Sequence, residues 1–80
     1  MTLASLKRRR QPSQARGHLR VKALLDATGA LLEEVGYDAL TTKAIAERAQ
    51  TSIGSFYQFF PNRDAAVAAL VDSYRDEIRT

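Results

Sequence analysis

The chain has no cysteine and a single histidine, which removes disulfides, thiolate metal sites and any pair of imidazoles sharing a metal ion. No apolar run approaches the roughly 18 residues that a membrane span needs, and the first twenty residues lack the apolar segment of a secretory signal. The expectation is a chain that neither spans nor leaves through a membrane, with the cytoplasm as its default compartment. Nor is there a glycine-rich loop to cradle phosphates, or a nucleophile and base that stand out as a pair, so no enzyme and no cofactor are expected. Internal repeats and low-complexity tracts are absent. Acid is missing from one region in particular: residues 1–20 hold Lys7, Arg8, Arg9, Arg10, Arg16 and Arg20 without one Asp or Glu.

That gap splits the charge. Of 12 basic side chains 6 lie in residues 1–20, leaving 12 − 6 = 6 against all 9 acidic ones from residue 21 onward, so the net charge of +3 conceals a mildly acidic body behind a basic start. Such a split suits electrostatic capture of a polyanion. Eighty residues with 45% hydrophobic and 26% charged content fit one small domain with a single, modest core.

Residues 1–17 mix basic side chains with Gln11, Pro12, Ser13, Gln14 and Gly17 in no sustained period, and read as a flexible basic arm. A domain over residues 18–80 follows. Val21, Leu24, Leu25, Thr28, Leu31, Leu32 and Val35 recur at steps of three and four, which predicts an amphipathic helix over about 18–35. Gly36 suits the left-handed position that ends helices, with Tyr37 supplying the accompanying apolar contact. Thr41 as N-cap, with Leu40 stapled against Ile45, opens a second helix over 42–49. Ser52 caps a third over 53–59, stopped by Pro61, which disfavours helical geometry for the residue before it. Asn62 caps a fourth over 63–79, with Asp64 near its positive end and Val67, Leu70, Val71, Tyr74 and Ile78 as the expected buried stripe.

The fold class is therefore all-α: a three-helix, homeodomain-like helix-turn-helix bundle plus the start of a fourth helix. In a helix-turn-helix the second short helix is presented to the DNA major groove, N-terminal residues first. Those residues are Ser52, Ile53, Gly54 and Ser55. Gly54 raises a question, since glycine costs about 1 kcal/mol against alanine inside a helix, and close approach of the backbone to DNA is one compensation. Of the four rings in "FYQFF", Phe56 and Phe60 are expected in the core, while Tyr57 and Gln58 point outward. Phe59 is expected either against sugar and backbone carbons of DNA or over the start of the fourth helix. His18 reads as a solvated residue.

"EEVGYDALTTKAIAERA" followed by "TSIGSFYQFFPNRDA" resembles the DNA-binding domain of the tetracycline-repressor-like (TetR) transcriptional regulators over about Val21 to Leu70. The threonine pair before Ile45-Ala46, the series Ser52, Gly54, Tyr57 and Phe60, and Arg63-Asp64 after Asn62 carry the resemblance. It implies phosphate contacts at Thr42, Tyr57 and Arg63, with Lys43 beside them. Ser52, Ile53, Gly54, Ser55 and Gln58 then face the groove. Separately from the resemblance, the charge run Lys7, Arg8, Arg9 and Arg10 reads either as a solvated tail or as an arm along phosphates or in a minor groove. The resemblance further implies double-stranded operator DNA as partner, repression as the usual outcome, and a homodimer built by a C-terminal domain that also takes a small-molecule effector. Ending near the close of the fourth helix, the sequence is expected to be a DNA-binding piece of such a protein. Gln50 and Thr51 stand where the family usually has Gly-Val, Phe59 where histidine or tyrosine is common, and Ala66 where leucine is common.

The competing reading is a helical protein-interaction module with a basic tail. An exposed apolar groove would favour it; convergence of the arm, Thr42, Tyr57 and Arg63 on one surface would favour DNA. With only Leu3 and Leu6 to insert, the tail is a poor membrane anchor.

Overall fold

The computed structural model describes the backbone of residues 12–79 and the side chains of residues 17–75. Four helices follow one another: α1 Pro12–Val35, α2 Thr42–Arg48, α3 Ile53–Phe59 and α4 Arg63–Arg79, with no strand among the described residues. The all-helical expectation is met. α1 starts at Pro12 and not near His18. Proline is suited to the first helical position, where no N–H is needed and its fixed φ is already helical, and Gln14, Ala15 and Arg16 propagate a helix well. The basic run Lys7–Arg10 lies outside the described residues.

Leu24 and Ala27 of α1, Leu40 from the loop, Ile45 and Ala46 of α2, and Phe56, Phe60, Ala66 and Leu70 form the buried apolar set. Phe56 is fully enclosed, with the Phe60 ring 5.7 Å away between centroids. Both rings thus belong to the core, as their spacing of four implied. Thr28 is the buried polar residue among them, and its hydroxyl donates to the Leu24 carbonyl at 2.8 Å, so no buried polar atom is left unpaired there. α1 packs against both α2 and α4, and α3 packs on α2. The pair α2–α3 is therefore carried on a longer frame.

The buried register of α4 differs from the expected one. Ala66 and Leu70 are buried, whereas Val71 and Tyr74 are 44% and 52% exposed; the side chain of Ile78 lies outside those described. The physical reason lies in the neighbours. Leu70 and Tyr74 reach the bare backbone of α1 at Gly29, where an added Cβ would meet Leu70 Cδ2 and the Tyr74 hydroxyl at 3.5 Å, while neither short helix reaches that far along α4. One flank of α4 therefore stays uncovered.

Two left-handed residues end helices. Gly36, at φ 82°, follows α1 and its N–H donates to the Leu32 carbonyl at 3.0 Å. Gln50, at φ 60°, follows α2, with its own N–H on the Glu47 carbonyl at 3.0 Å and the Thr51 N–H on the Ala46 carbonyl at 2.9 Å. This is the paired bonding of a Schellman ending, here without glycine. It directs the chain into α3.

Candidate nucleic-acid interface

Each of the three helices that follow the first loop begins with a side chain bonded to the backbone three residues on. Thr41 Oγ1 accepts from the Ala44 N–H at 3.0 Å, Ser52 Oγ from the Ser55 N–H at 3.1 Å, and Asn62 Oδ1 from the Ala65 N–H at 2.8 Å. Caps of this kind satisfy one of the unpaired donors of a first turn and contribute about 1 kcal/mol each. For α2 and α3, seven residues long, they matter more than for a long helix, because so few internal bonds hold each one.

The capping role alters the reading of Ser52. The residue lies exposed at the start of the groove-facing series, and its hydroxyl, while accepting the cap bond, keeps its proton for a further acceptor. Next along α3, Ile53 is 42% exposed, and Gly54 and Gln58 are exposed as well. A Cβ at Gly54 would meet only the Ser52 hydroxyl, at an ordinary 3.8 Å. Nothing inside the protein therefore calls for glycine at this position.

Thr42 and Tyr57, taken separately from the sequence, come together. Their hydroxyl oxygens lie 3.2 Å apart, with Tyr57 51% exposed. Two hydroxyls have two protons and need only one for the bond between them, so the pair keeps a donor for a further acceptor. Lys43 is exposed on the same first turn of α2. Two hydroxyls thus meet at the seam between α2 and α3.

Arg63 has a different setting from the one its neighbours suggested. One guanidinium nitrogen donates to the Tyr37 carbonyl at 3.0 Å and to the Leu40 carbonyl, and the group lies 4.3 Å above the Tyr37 ring. The Tyr37 hydroxyl in turn donates to Asp64. That bond to a carboxylate, followed by partial desolvation, pushes the Tyr37 pKa up. Tyr37 thus clamps the loop to the start of α4 through its ring and hydroxyl, where an apolar helix-end contact was expected.

Two contacts were not visible in the sequence pattern. Arg20 Nη1 donates to Ser55 Oγ at 3.1 Å, joining α1 to α3. Phe59 is half-buried against the core and borders a groove with Gly17, His18 and Val21 of α1. On another face Arg48 grips Glu34 with two parallel bonds of 2.8 and 2.7 Å. The guanidinium hydrogen bonds hold the Glu34 carboxyl below the usual glutamate range.

A groove of about 600 Å³ runs between α1 and α4, lined by apolar residues such as Val21, Leu25, Leu70 and Tyr74 but also by Lys22, Asp26 and Glu33. None of its lining residues comes from α2 or α3. Among the described residues no three His, Cys, Asp or Glu side chains gather into a metal site, and no helix is long and apolar enough to cross a membrane.

Comparison with known proteins matches this arrangement. Residues 24–70 fit the family described as bacterial regulatory proteins, tetR family. The HTH-type transcriptional repressor KstR of Rhodococcus jostii is 46% identical over 44 residues, which is 55% of this chain and 21% of that protein. The uncharacterized HTH-type transcriptional regulator YvkB of Bacillus subtilis is 42% identical over 53 residues, 66% of this chain and 28% of that one. A crystal structure of a TetR-family transcriptional regulator from Streptomyces coelicolor superimposes with a TM-score of 0.70 at 46% identity, covering 72% of this chain and 33% of that one. The chain therefore spans only between a fifth and a third of these relatives. With the profile matching more than half its residues, and with four helices in the same arrangement, the chain belongs to the tetR family of bacterial regulatory proteins and forms a helix-turn-helix domain of that family.

Proposed function

We propose that this domain recognises a specific double-stranded DNA operator by placing α3 in the major groove, and that it serves a repressor working at the nucleoid in the cytoplasm. The observation that carries the reading is Gly54. It lies exposed near the start of α3, and its cost in helix stability has no return inside the protein. A surface that must come within contact of a helix backbone explains it, and the floor of a DNA groove is such a surface.

The role of each residue follows from its setting. Ile53, Gly54, Ser55 and Gln58 meet base edges, with Ile53 suited to a thymine methyl and Gln58 to adenine. Ser52 contributes through its backbone and its cap. Thr42 and Tyr57, with Lys43 beside them, bind phosphate oxygens and fix the register. Arg63 keeps its remaining N–H groups for a phosphate while its bonded nitrogen holds the loop. Lys7, Arg8, Arg9 and Arg10 add attraction to the backbone or minor groove. Family resemblance supports a homodimer and a small-molecule effector, both housed in a further domain of the kind the longer relatives have room for. A single domain alone binds weakly, because a dimer reads two linked half-sites.

The test is binding of the 80-residue chain, with and without residues 1–11, to random and genomic duplexes across a salt series. The cut stops short of Pro12 so that α1 stays whole. An enriched half-site with steep salt dependence, and a shallower slope after the deletion, is the expected result. Tyr57→Phe should weaken binding evenly across sequences and Gln58→Ala should relax one base position; the reverse pattern would overturn these roles. Absence of binding at low salt would transfer the assignment to a protein-interaction module, for which the α1–α4 groove is the available surface.

A further inference from the structure

Six basic side chains precede residue 21, and Arg20 is one whose guanidinium reaches α3, bonding Ser55 Oγ at 3.1 Å across 35 positions of sequence. The same two helices also border a common groove. One turn beyond Ser55, Phe59 shares a groove with Gly17, His18 and Val21. Ser55 itself is half-buried, and its N–H is already bonded to Ser52 Oγ. Its hydroxyl is the part left to meet a ligand.

A lone serine hydroxyl has one proton and two lone pairs, so it bonds donors and acceptors alike and separates bases poorly. A guanidinium has only donors. Arg20 can therefore engage only a lone pair of Ser55, and its positive charge turns the hydroxyl proton away from itself. We infer that Arg20 is a positioning residue that sets the polarity of Ser55, converting an ambivalent hydroxyl on the recognition helix into a hydrogen-bond donor. The base edge opposite must then offer an acceptor, as purine N7, guanine O6 and thymine O4 do, and the cytosine amino group is disfavoured. This rests on the DNA-reading assignment of α3. It makes the first helix part of the specificity of the third.

The experiment is site selection from a random duplex library, followed by affinity measurements on single-base variants, for the 80-residue chain and its Ser55→Ala, Arg20→Ala and doubly substituted forms. Thermal unfolding would confirm that each remains folded; neither side chain is buried. Ser55→Ala and Arg20→Ala should each lower discrimination at the same base pair by about threefold to tenfold, the range of a single hydrogen bond. The double variant should discriminate no worse there than Ser55→Ala. The inference is overturned if Arg20→Ala weakens all sequences alike, reduces the salt slope by about one phosphate's worth, and leaves that base pair discriminated, since Arg20 would then be a phosphate contact only. It is equally overturned if Ser55→Ala shifts no base preference. A parent chain that binds no duplex at low salt would be a different result, because it removes the DNA reading itself.

Discussion

Gly36 and Gln50 end two helices in the same left-handed region, at φ 82° and φ 60°, yet one is the residue best suited to that geometry and the other is not. A side chain in this region costs roughly 1–2 kcal/mol. The two sites differ in what surrounds them. After Gly36 the chain enters a loop held at once by the clamp of Tyr37 on Arg63 and Asp64, and then by the buried Leu40. After Gln50 it must enter α3 at once, and two backbone bonds of the Schellman ending together with the Phe56 anchor hold the angle. The second turn carries its strain because the helices on both sides hold it, whereas at the first glycine keeps the left-handed geometry free of strain.

The largest way to break that comparison is to remove the anchor. Phe56→Ala should cost about 3–5 kcal/mol and release α3, and with it the constraint on Gln50; urea unfolding should show a much lower midpoint or no cooperative transition. Gly36→Ala should come next, a loss of about 1–2 kcal/mol, because no Cβ clash exists there and backbone conformation alone is at stake. Gln50→Gly should move the other way, raising stability by up to about 1 kcal/mol. A neutral or destabilising result would mean that the Gln50 side chain makes compensating contacts with the grooves it lines beside α1.

The smallest effect sharpens the comparison through pH. Glu34 precedes the first turn and Arg48 the second, so their paired bonds tie the ends of α1 and α2 together. Because the folded-state pKa of Glu34 is lowered, its contribution is present above the unfolded-state pKa and lost as pH falls through the folded one. The melting temperature gap between the parent and Glu34→Gln should therefore be small at neutral pH and close in mildly to strongly acid buffer. The pair is well exposed, so high salt should also narrow the gap.

Local chemistry was the part legible in the sequence. Thr41, Ser52 and Asn62 act within three residues of themselves, so a hydroxyl or amide ahead of an apolar period suffices to find them. The same holds for Gly36, Phe56 and Phe60. Features that depend on how helices cross were not legible. Arg63 turns back to two carbonyls 26 and 23 positions earlier, and Val71 and Tyr74 keep the helical period of a buried stripe although only α1 lies beside that length of α4. The early start of α1 was readable in principle, from a proline in the position that favours it, but the polar composition of residues 12–17 masked the signal. For the candidate site, sequence placed Thr42 and Tyr57 individually, while only the crossing of α2 and α3 joins them; Arg20 gave no sign of reaching Ser55.

The division of labour along α3 has a consequence for how such a domain changes over generations. Phe56 and the Ser52 cap hold the helix, whereas Ile53, Gly54 and Gln58 stand exposed and hold nothing else in place. Substitution at those three positions is nearly free of folding cost. On the DNA-reading role proposed for α3, retargeting by gene duplication and drift proceeds through Ile53, Gly54 and Gln58 one at a time, each intermediate remaining a folded protein. Ser55 differs from them in that its hydroxyl also holds Arg20 of α1, so a change there returns that guanidinium to solvent.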